Sequence, residues 1–164
     1  FTPTGPELLL TVRHSGLRSH PGQISFPGGR VDPGDVDVSA TALRETWEEV
    51  GIEPSAIEVL GALSPYLTGT GYSVVPVLGV IPAACEYRLA RDEVEEVFHV
   101  PLSFLLETGV WETREYEVEG GRRAYAEILY GRYRIWGATA GMIVGLRERL
   151  RGRLTTGLSA TLGG

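Results

Sequence analysis

The feature that most restricts how this chain can fold is the run Ala40 to Val50, ATALRETWEEV, bracketed by Ser39 and Gly51. Good helix formers fill the run, Ser39 supplies an N-cap oxygen, and a glycine just past the last apolar residue is a usual helix stop. A helix here puts Glu45, Glu48 and Glu49 three and four residues apart, on one edge of the cylinder. Like charges ~5 Å apart at an effective dielectric of about 20 repel by roughly 3 kcal/mol per pair, so crowding them does not serve stability. Two readings are open. The edge is an ordinary solvated face with Arg44 and Glu48 as an i,i+4 pair, or it holds a cation. Carboxylates with no Cys or His beside them favour Mg²⁺ or Mn²⁺ over Zn²⁺.

The segment before the helix weighs toward the cation. Pro27-Gly28-Gly29 brings backbone carbonyls near the acidic edge, because glycine has no side chain to obstruct approach. Arg30 to Asp37, RVDPGDVD, contains a Pro-Gly turn and reads as a loop. A loop carbonyl and helix carboxylates together make an all-oxygen site for a divalent ion, which would bridge phosphate oxygens and acidify an attacking water.

Elsewhere, Glu7 to Arg13 reads as a buried strand, His14 to Gly22 as a polar turn, and Gln23 to Phe26 as a short strand. Ile57 to Leu63 and Tyr72 to Ile81 are strand candidates around the Thr68 to Gly71 turn. Asp92 to Glu96 is an acidic loop leading to Val100-Pro101-Leu102 and a short helix through Leu106. Trp111 to Val118 and Ala124 to Tyr130 flank Glu119-Gly120-Gly121-Arg122, a hairpin signature. Thr139 to Arg149 reads as an amphipathic helix, and Gly152 onward as a fraying tail. This order predicts α/β (α+β) architecture, a mixed β-sheet between helices in α/β/α layers, built as one domain over 1–164.

Composition narrows the partners. A net charge of −6 and a pI near 5.1 argue against a general nucleic-acid binder, which needs a basic surface. No apolar run reaches the roughly 18 residues that span a bilayer, and the start does not resemble a signal peptide, so no membrane partner is expected. Cys85 is the single cysteine, which excludes an intrachain disulfide and points to the cytoplasm. Opening at Phe1 rather than Met leaves room for a preceding segment.

Gly29, Asp35 and the run Arg44-Glu45-Thr46-Trp47-Glu48-Glu49-Val50-Gly51-Ile52 resemble the Nudix hydrolase signature. That signature runs Gly, five residues, Glu, seven residues, Arg-Glu, an aliphatic residue, any residue, Glu-Glu, any residue, Gly and an aliphatic residue. Here Asp35 stands for the first Glu, Thr46 takes an aliphatic position, and Arg44 follows Gly29 by one residue more than the pattern. The coenzyme A diphosphatase subfamily has a similar longer box, preceded by a motif that this chain resembles at Leu10-Thr11, Arg13, Leu17, Arg18, His20, Gly22-Gln23 and Phe26-Pro27-Gly28-Gly29. Val97 to Leu102 and Ile135 to Ala140 are also similar to segments of that subfamily.

The resemblance implies a Nudix α/β/α sandwich that hydrolyses coenzyme A to 3′,5′-ADP and 4′-phosphopantetheine with Mg²⁺ or Mn²⁺. It implies Glu45 and Glu49 as principal metal ligands, Glu48 as a direct or water-mediated one, and a carbonyl of Gly28 or Gly29 beside them. Arg44 would brace the carboxylates. The general base would be a box glutamate such as Glu48 or Glu45, or a later acid among Glu93, Glu95 and Glu96, whose other reading is a solvated loop.

A substrate with a diphosphate and a 3′-phosphate needs donors beyond the metals, and Arg13, Arg18, His20 and Gln23 are the candidates. His20 reads equally as a packed histidine. Tyr66 and Tyr72 offer either packing or a surface for adenine, while Trp136 and Met142 are assigned to packing. Cys85 has no nearby His or Cys to activate it. Rival substrates are ADP-ribose, a dinucleotide or a nucleoside triphosphate. A non-catalytic nucleotide-binding module is the rival from a different class, and a P-loop protein is a weaker rival because no Gly-Lys-Ser/Thr follows the glycines.

Overall fold

The computed structural model describes residues 5–118 and 121–161, with side chains for 5–117 and 121–152. The chain forms two compact units, Phe1–Phe104 and Leu105–Gly164. Helices and short antiparallel sheets make up both, and every ladder among the described residues is antiparallel.

In the first unit, β1 (Glu7–Arg13) lies between β2 (Ile24–Ser25) and β7 (Val94–Pro101). Consecutive residues Leu10 and Thr11 are both buried, so β1 is covered on both faces there, which explains its continuous apolar run. A register shift between Val12 and Arg13 sets Arg13 opposite Val94 at the end of the ladder. Leu10, Val50, Ile52, Val94, Phe98 and Val100 are the buried apolar residues here, each worth about 1.5–3 kcal/mol.

Helix α1 (Val38–Val50) ends as the sequence predicts, with Gly51 left-handed at φ 75° and its N–H donating to the Trp47 carbonyl at 2.9 Å. It begins differently. Asp37, not Ser39, is the N-cap: its backbone is extended and its Oδ1 accepts the Ala40 N–H at 2.8 Å, leaving Ser39 inside the first turn.

The region from Ile57 to Ile81 is more broken than its apolar content predicts. After a 3-10 turn (Pro54–Ala56), β3 (Glu58–Ala62) pairs with β6 (Val77–Val80), while β4 (Tyr66–Leu67) pairs with β5 (Ser73–Val74). Pro76 divides β5 from β6 because it has no N–H to give a ladder. Thr68 to Gly71 is a turn, as read, closed by Thr68 and Tyr72.

The acidic stretch 92–96 is not wholly a loop, since Glu95 and Glu96 lie in β7 and only Asp92 and Glu93 precede it. The seven-residue ladder with β1 outweighs the low strand preference of glutamate. Helix α2 (Leu102–Leu106) carries the chain from one unit to the next.

In the second unit, β8 (Trp111–Val118) and β9 (Gly121–Tyr130) pair, and β10 (Tyr133–Trp136), absent from the sequence reading, joins the other edge of β9. Part of the hairpin reading, Glu119 and Gly120, lies outside the described residues. Helix α3 (Gly137–Thr161) packs on β9 and β10 and continues past Gly152, where a fraying tail was expected. Trp136 meets Tyr125 edge-on at 5.6 Å. No helix among the described residues is long and apolar enough to cross a membrane.

Segment 88–90 docks on the end of α1, with the N–H groups of Arg88 and Ala90 donating to the carbonyls of Val50 and Glu49 at 2.9 and 3.0 Å. A Cβ on Gly51 would lie 2.7 Å from that of Arg88 and 3.0 Å from the Arg88 backbone. Gly51→Ala is therefore expected to destabilise the protein by at least about 1–2 kcal/mol, the cost of a left-handed alanine alone, in urea denaturation. An unchanged midpoint would contradict this close approach.

Candidate active site

The loop between β2 and α1 is tied down by its own acids. Asp35 donates its N–H to the Asp32 carbonyl at 2.9 Å, and its Oδ2 accepts the Asp32 N–H at 2.8 Å. The Asp35 carboxylate, with its side chain 7% exposed, also accepts Thr41 Oγ1 at 2.8 Å and Arg44 Nε and Nη2 at 3.1 and 3.0 Å. The Arg44 guanidinium beside Asp35 holds its carboxyl well below the usual range, and Asp35 in turn raises Arg44 above its own. Asp35 is thus the loop clamp. Its shorter side chain, combined with one extra loop residue, still meets Arg44 in a two-pronged pair.

Arg44 is fully engaged. Its Nη1 donates to Glu45 Oε1 and Glu48 Oε2, each at 3.0 Å, and its Nη2 also donates to the Arg30 carbonyl at 3.0 Å. The three glutamates are unlike in exposure. Glu48 is 54% exposed, Glu45 16% and Glu49 5%. The cation that Glu45 and Glu48 meet is Arg44, and among the described residues no three His, Cys, Asp or Glu side chains form a group ready to hold an ion by themselves.

Glu49 is the anomalous acid. Burial pushes its carboxyl up to about 7; the Gly28 N–H bonded to it and the Arg13 charge oppose that rise, while the charges of Glu45 and Glu93 add to it. A Cβ on Gly29 would fall 2.2 to 2.6 Å from the Glu45 carboxylate atoms, so a side chain there would displace that carboxylate. Buried Glu49 and Glu45 thus lie beside the Gly28-Gly29 backbone. That donor set suits a hard divalent ion, which takes carboxylate, carbonyl and water oxygens and would relieve the strain of ionising Glu49.

The other candidates divide. Arg13 reaches this neighbourhood: its charge acts on Glu49, and its Nε–H is buried with no acceptor among the described residues. Glu93 reaches it too, placed by its carbonyl accepting the His14 N–H at 2.8 Å and by its own N–H donating to Ala90. Glu95 and Glu96 lie in the β7 ladder opposite β1. Arg18 and His20 lie in an exposed turn. His20 is left-handed at φ 54° and exposed, which removes the packed-histidine reading. Gln23 is half-buried, its N–H and carbonyl holding the turn against His20 and Arg13. Tyr66 is half-buried in β4, and Tyr72 is exposed and accepts a hydrogen bond from Arg30 Nη2 at 3.2 Å. Sequence reasoning passed over Arg30, whose partner is 42 positions away. Cys85 is a free, half-buried thiol.

The glycine loop thus lies against glutamates of one helix, on a fold of short sheets and helices. The family model described as NUDIX domain matches residues 1–119, and the chain belongs to the Nudix hydrolase family. It is 47% identical over 138 residues to the "Uncharacterized Nudix hydrolase NudL" of Shigella boydii serotype 4 (strain Sb227), covering 84% of this chain and 72% of that protein. The protein of the same name from Escherichia coli O1:K1 / APEC matches at the same identity and coverage.

Among solved structures, the NUDIX domain of Shewanella oneidensis NrtR complexed with ADP ribose is similar at a TM-score of 0.52 and 20% identity, over 88% of this chain and 77% of that one. A C. elegans Ap4A hydrolase binary complex is similar at a TM-score of 0.50 and 24% identity, over 59% and 70%. These two likenesses carry the fold.

The raised carboxyl of Glu49 has a measurable consequence. Its neutral form is favoured by folding, so in chelator-treated protein its contribution is complete below the ordinary value of 4.5 and is lost as the pH rises through about 7. Urea denaturation is expected to show a loss on the order of 3 kcal/mol between about pH 5 and about pH 8, and Glu49→Gln to flatten that slope. An unaltered slope in the variant would assign the effect to another group.

Proposed function

We propose that this chain hydrolyses the diphosphate bond of coenzyme A, giving 3′,5′-ADP and 4′-phosphopantetheine, with Mg²⁺ or Mn²⁺ as cofactor. The observation that carries the reading is a buried helix glutamate, Glu49, whose carboxyl feels the charges of Glu45, Glu93 and Arg13 and the Gly28 N–H. The coenzyme A assignment is supported by the residues from Leu10 to Gly29 that resemble the diphosphatase motif, of which Arg13 acts on Glu49 through its charge.

In this reading Glu45 and Glu49 bind the ion, Glu48 contributes through water, and a carbonyl of Gly28 or Gly29 adds a further oxygen. The bound ion would neutralise the diphosphate and lower the pKa of a water. Arg44 does not touch substrate; it keeps Glu45 and Glu48 oriented and the glycine loop against them. Arg13 offers its buried Nε–H to a diphosphate oxygen, a charge-assisted bond that orients the scissile group. Glu93, close enough to act on Glu49 yet exposed, accepts the proton of the attacking water. Arg18, His20 and Gln23 complete recognition from the exposed turn. The compartment proposed is the cytoplasm, where a free Cys85 stays reduced.

The test is a panel of coenzyme A, ADP-ribose, a dinucleoside polyphosphate and nucleoside triphosphates, each with Mg²⁺ or Mn²⁺, with products separated by chromatography. Coenzyme A is expected to show the highest kcat/KM. A tenfold or greater preference for another compound would overturn the substrate, as an order-of-magnitude criterion of about 1.4 kcal/mol in transition-state binding.

Gly29→Ala adds a methyl where the Glu45 carboxylate lies, so kcat/KM is expected to fall by about 10²-fold, the scale of an ångström-sized misplacement, with the circular-dichroism spectrum retained. Full activity in that variant would remove Glu45 from the reaction.

A further inference from the structure

We infer that Arg30 is a specificity-determining residue, its guanidinium held beside Tyr72 to receive a phosphate monoester that the substrate carries outside the scissile diphosphate. This rests on the coenzyme A reading and adds to it a residue that the motif resemblance does not include.

Arg30 follows Gly29 directly, so its Cα lies about 3.8 Å from a backbone position that is itself against the Glu45 carboxylate. Its carbonyl is gripped by Arg44 Nη2 at 3.0 Å, which fixes the point from which the side chain departs. The side chain then reaches Tyr72, with Nη2 donating to the phenol oxygen at 3.2 Å and the guanidinium carbon 5.7 Å from the ring centroid.

Tyr72 is in turn fixed by the β4–β5 hairpin, its N–H donating to Thr68 Oγ1 at 3.0 Å and its carbonyl accepting the Thr68 N–H at 2.8 Å. Two separate segments thus converge to aim one guanidinium.

Its electrostatic state points to an anionic ligand. Arg44 is consumed by three carboxylates, whereas no carboxylate among the described residues pairs with Arg30. A phenol is a neutral partner that orients the guanidinium without neutralising it, leaving donors in the fork geometry that matches phosphate oxygens. Both residues are exposed, so a substrate group can reach them. In a chain of net charge −6, such an uncommitted cation, on the residue that follows the glycine packed against Glu45, gives an incoming phosphate a place to bind other than the ion.

Coenzyme A, with its 3′-phosphate, and 3′-dephospho-coenzyme A, without it, form the discriminating pair. Steady-state hydrolysis of both by the full chain is to be compared with Arg30→Ala, Arg30→Lys and Tyr72→Phe. The unaltered protein is expected to prefer coenzyme A in kcat/KM by about tenfold, the scale of one charge-assisted contact. Arg30→Ala is expected to erase most of that preference through KM for coenzyme A, leaving kcat and the dephospho substrate within about twofold. Arg30→Lys, keeping the charge but losing the fork, recovers part of it, and Tyr72→Phe lies between.

If coenzyme A is cleaved well but Arg30→Ala changes both substrates by one factor, or neither, the role of Arg30 is overturned and the substrate reading stands. A loop merely loosened by losing Arg30 would give that uniform result. If the unaltered protein cleaves neither compound, both the reading and this inference fall.

Discussion

One guanidinium organises the site. Arg44 spends its Nε and both Nη groups on Asp35, Glu45, Glu48 and the Arg30 carbonyl, so the loop after the glycines, the helix edge and the carboxylates share a single anchor. One positive charge does not neutralise Asp35, Glu45, Glu48 and Glu49 together. Glu49 is the most buried of the helix glutamates, and its carboxyl resists ionisation first because it is buried and then because Glu45 and Glu93 add negative charge. A protein optimised for stability alone would place an apolar residue there, since a buried carboxylate with unbalanced charge is costly. The cost is understandable where a divalent ion and an anionic substrate are to be held.

The rest of the first unit brings the remaining groups to that edge. The left-handed Gly51 lets segment 88–90 cap the carbonyls of α1, and this docking delivers Glu93 beside Glu49. The register shift at the end of β1 delivers Arg13 to the same place from the opposite strand. Backbone hydrogen bonds do most of this positioning, so the side chains are left for chemistry.

Much of this was legible in the sequence because it is local. The apolar run of β1, the helix formers of α1 and its glycine stop each carry their signal within a dozen residues. The helix start was misread because Ser39 and Asp37 both offer a capping oxygen, and the choice depends on which backbone is extended. β4, at two residues, is too short to show a pattern, and the strand character of Glu95 and Glu96 comes from their pairing with β1. Among the site residues, the glutamates and glycines were visible through their spacing. The nearness of Arg13 and Glu93 to Glu49, and of Arg30 to Tyr72, joins segments far apart in the chain and has no local signature.

The proposed function depends on a divalent ion bound by the Glu45–Glu49 edge and the glycine backbone together. Anomalous diffraction from a crystal soaked in Mn²⁺ addresses it most directly. The account requires a manganese peak within coordination distance, about 2.0–2.3 Å, of Glu45 and Glu49 carboxylate oxygens and a Gly28 or Gly29 carbonyl. A manganese-saturated crystal with no peak there, and with Glu45 still turned to Arg44, would contradict it.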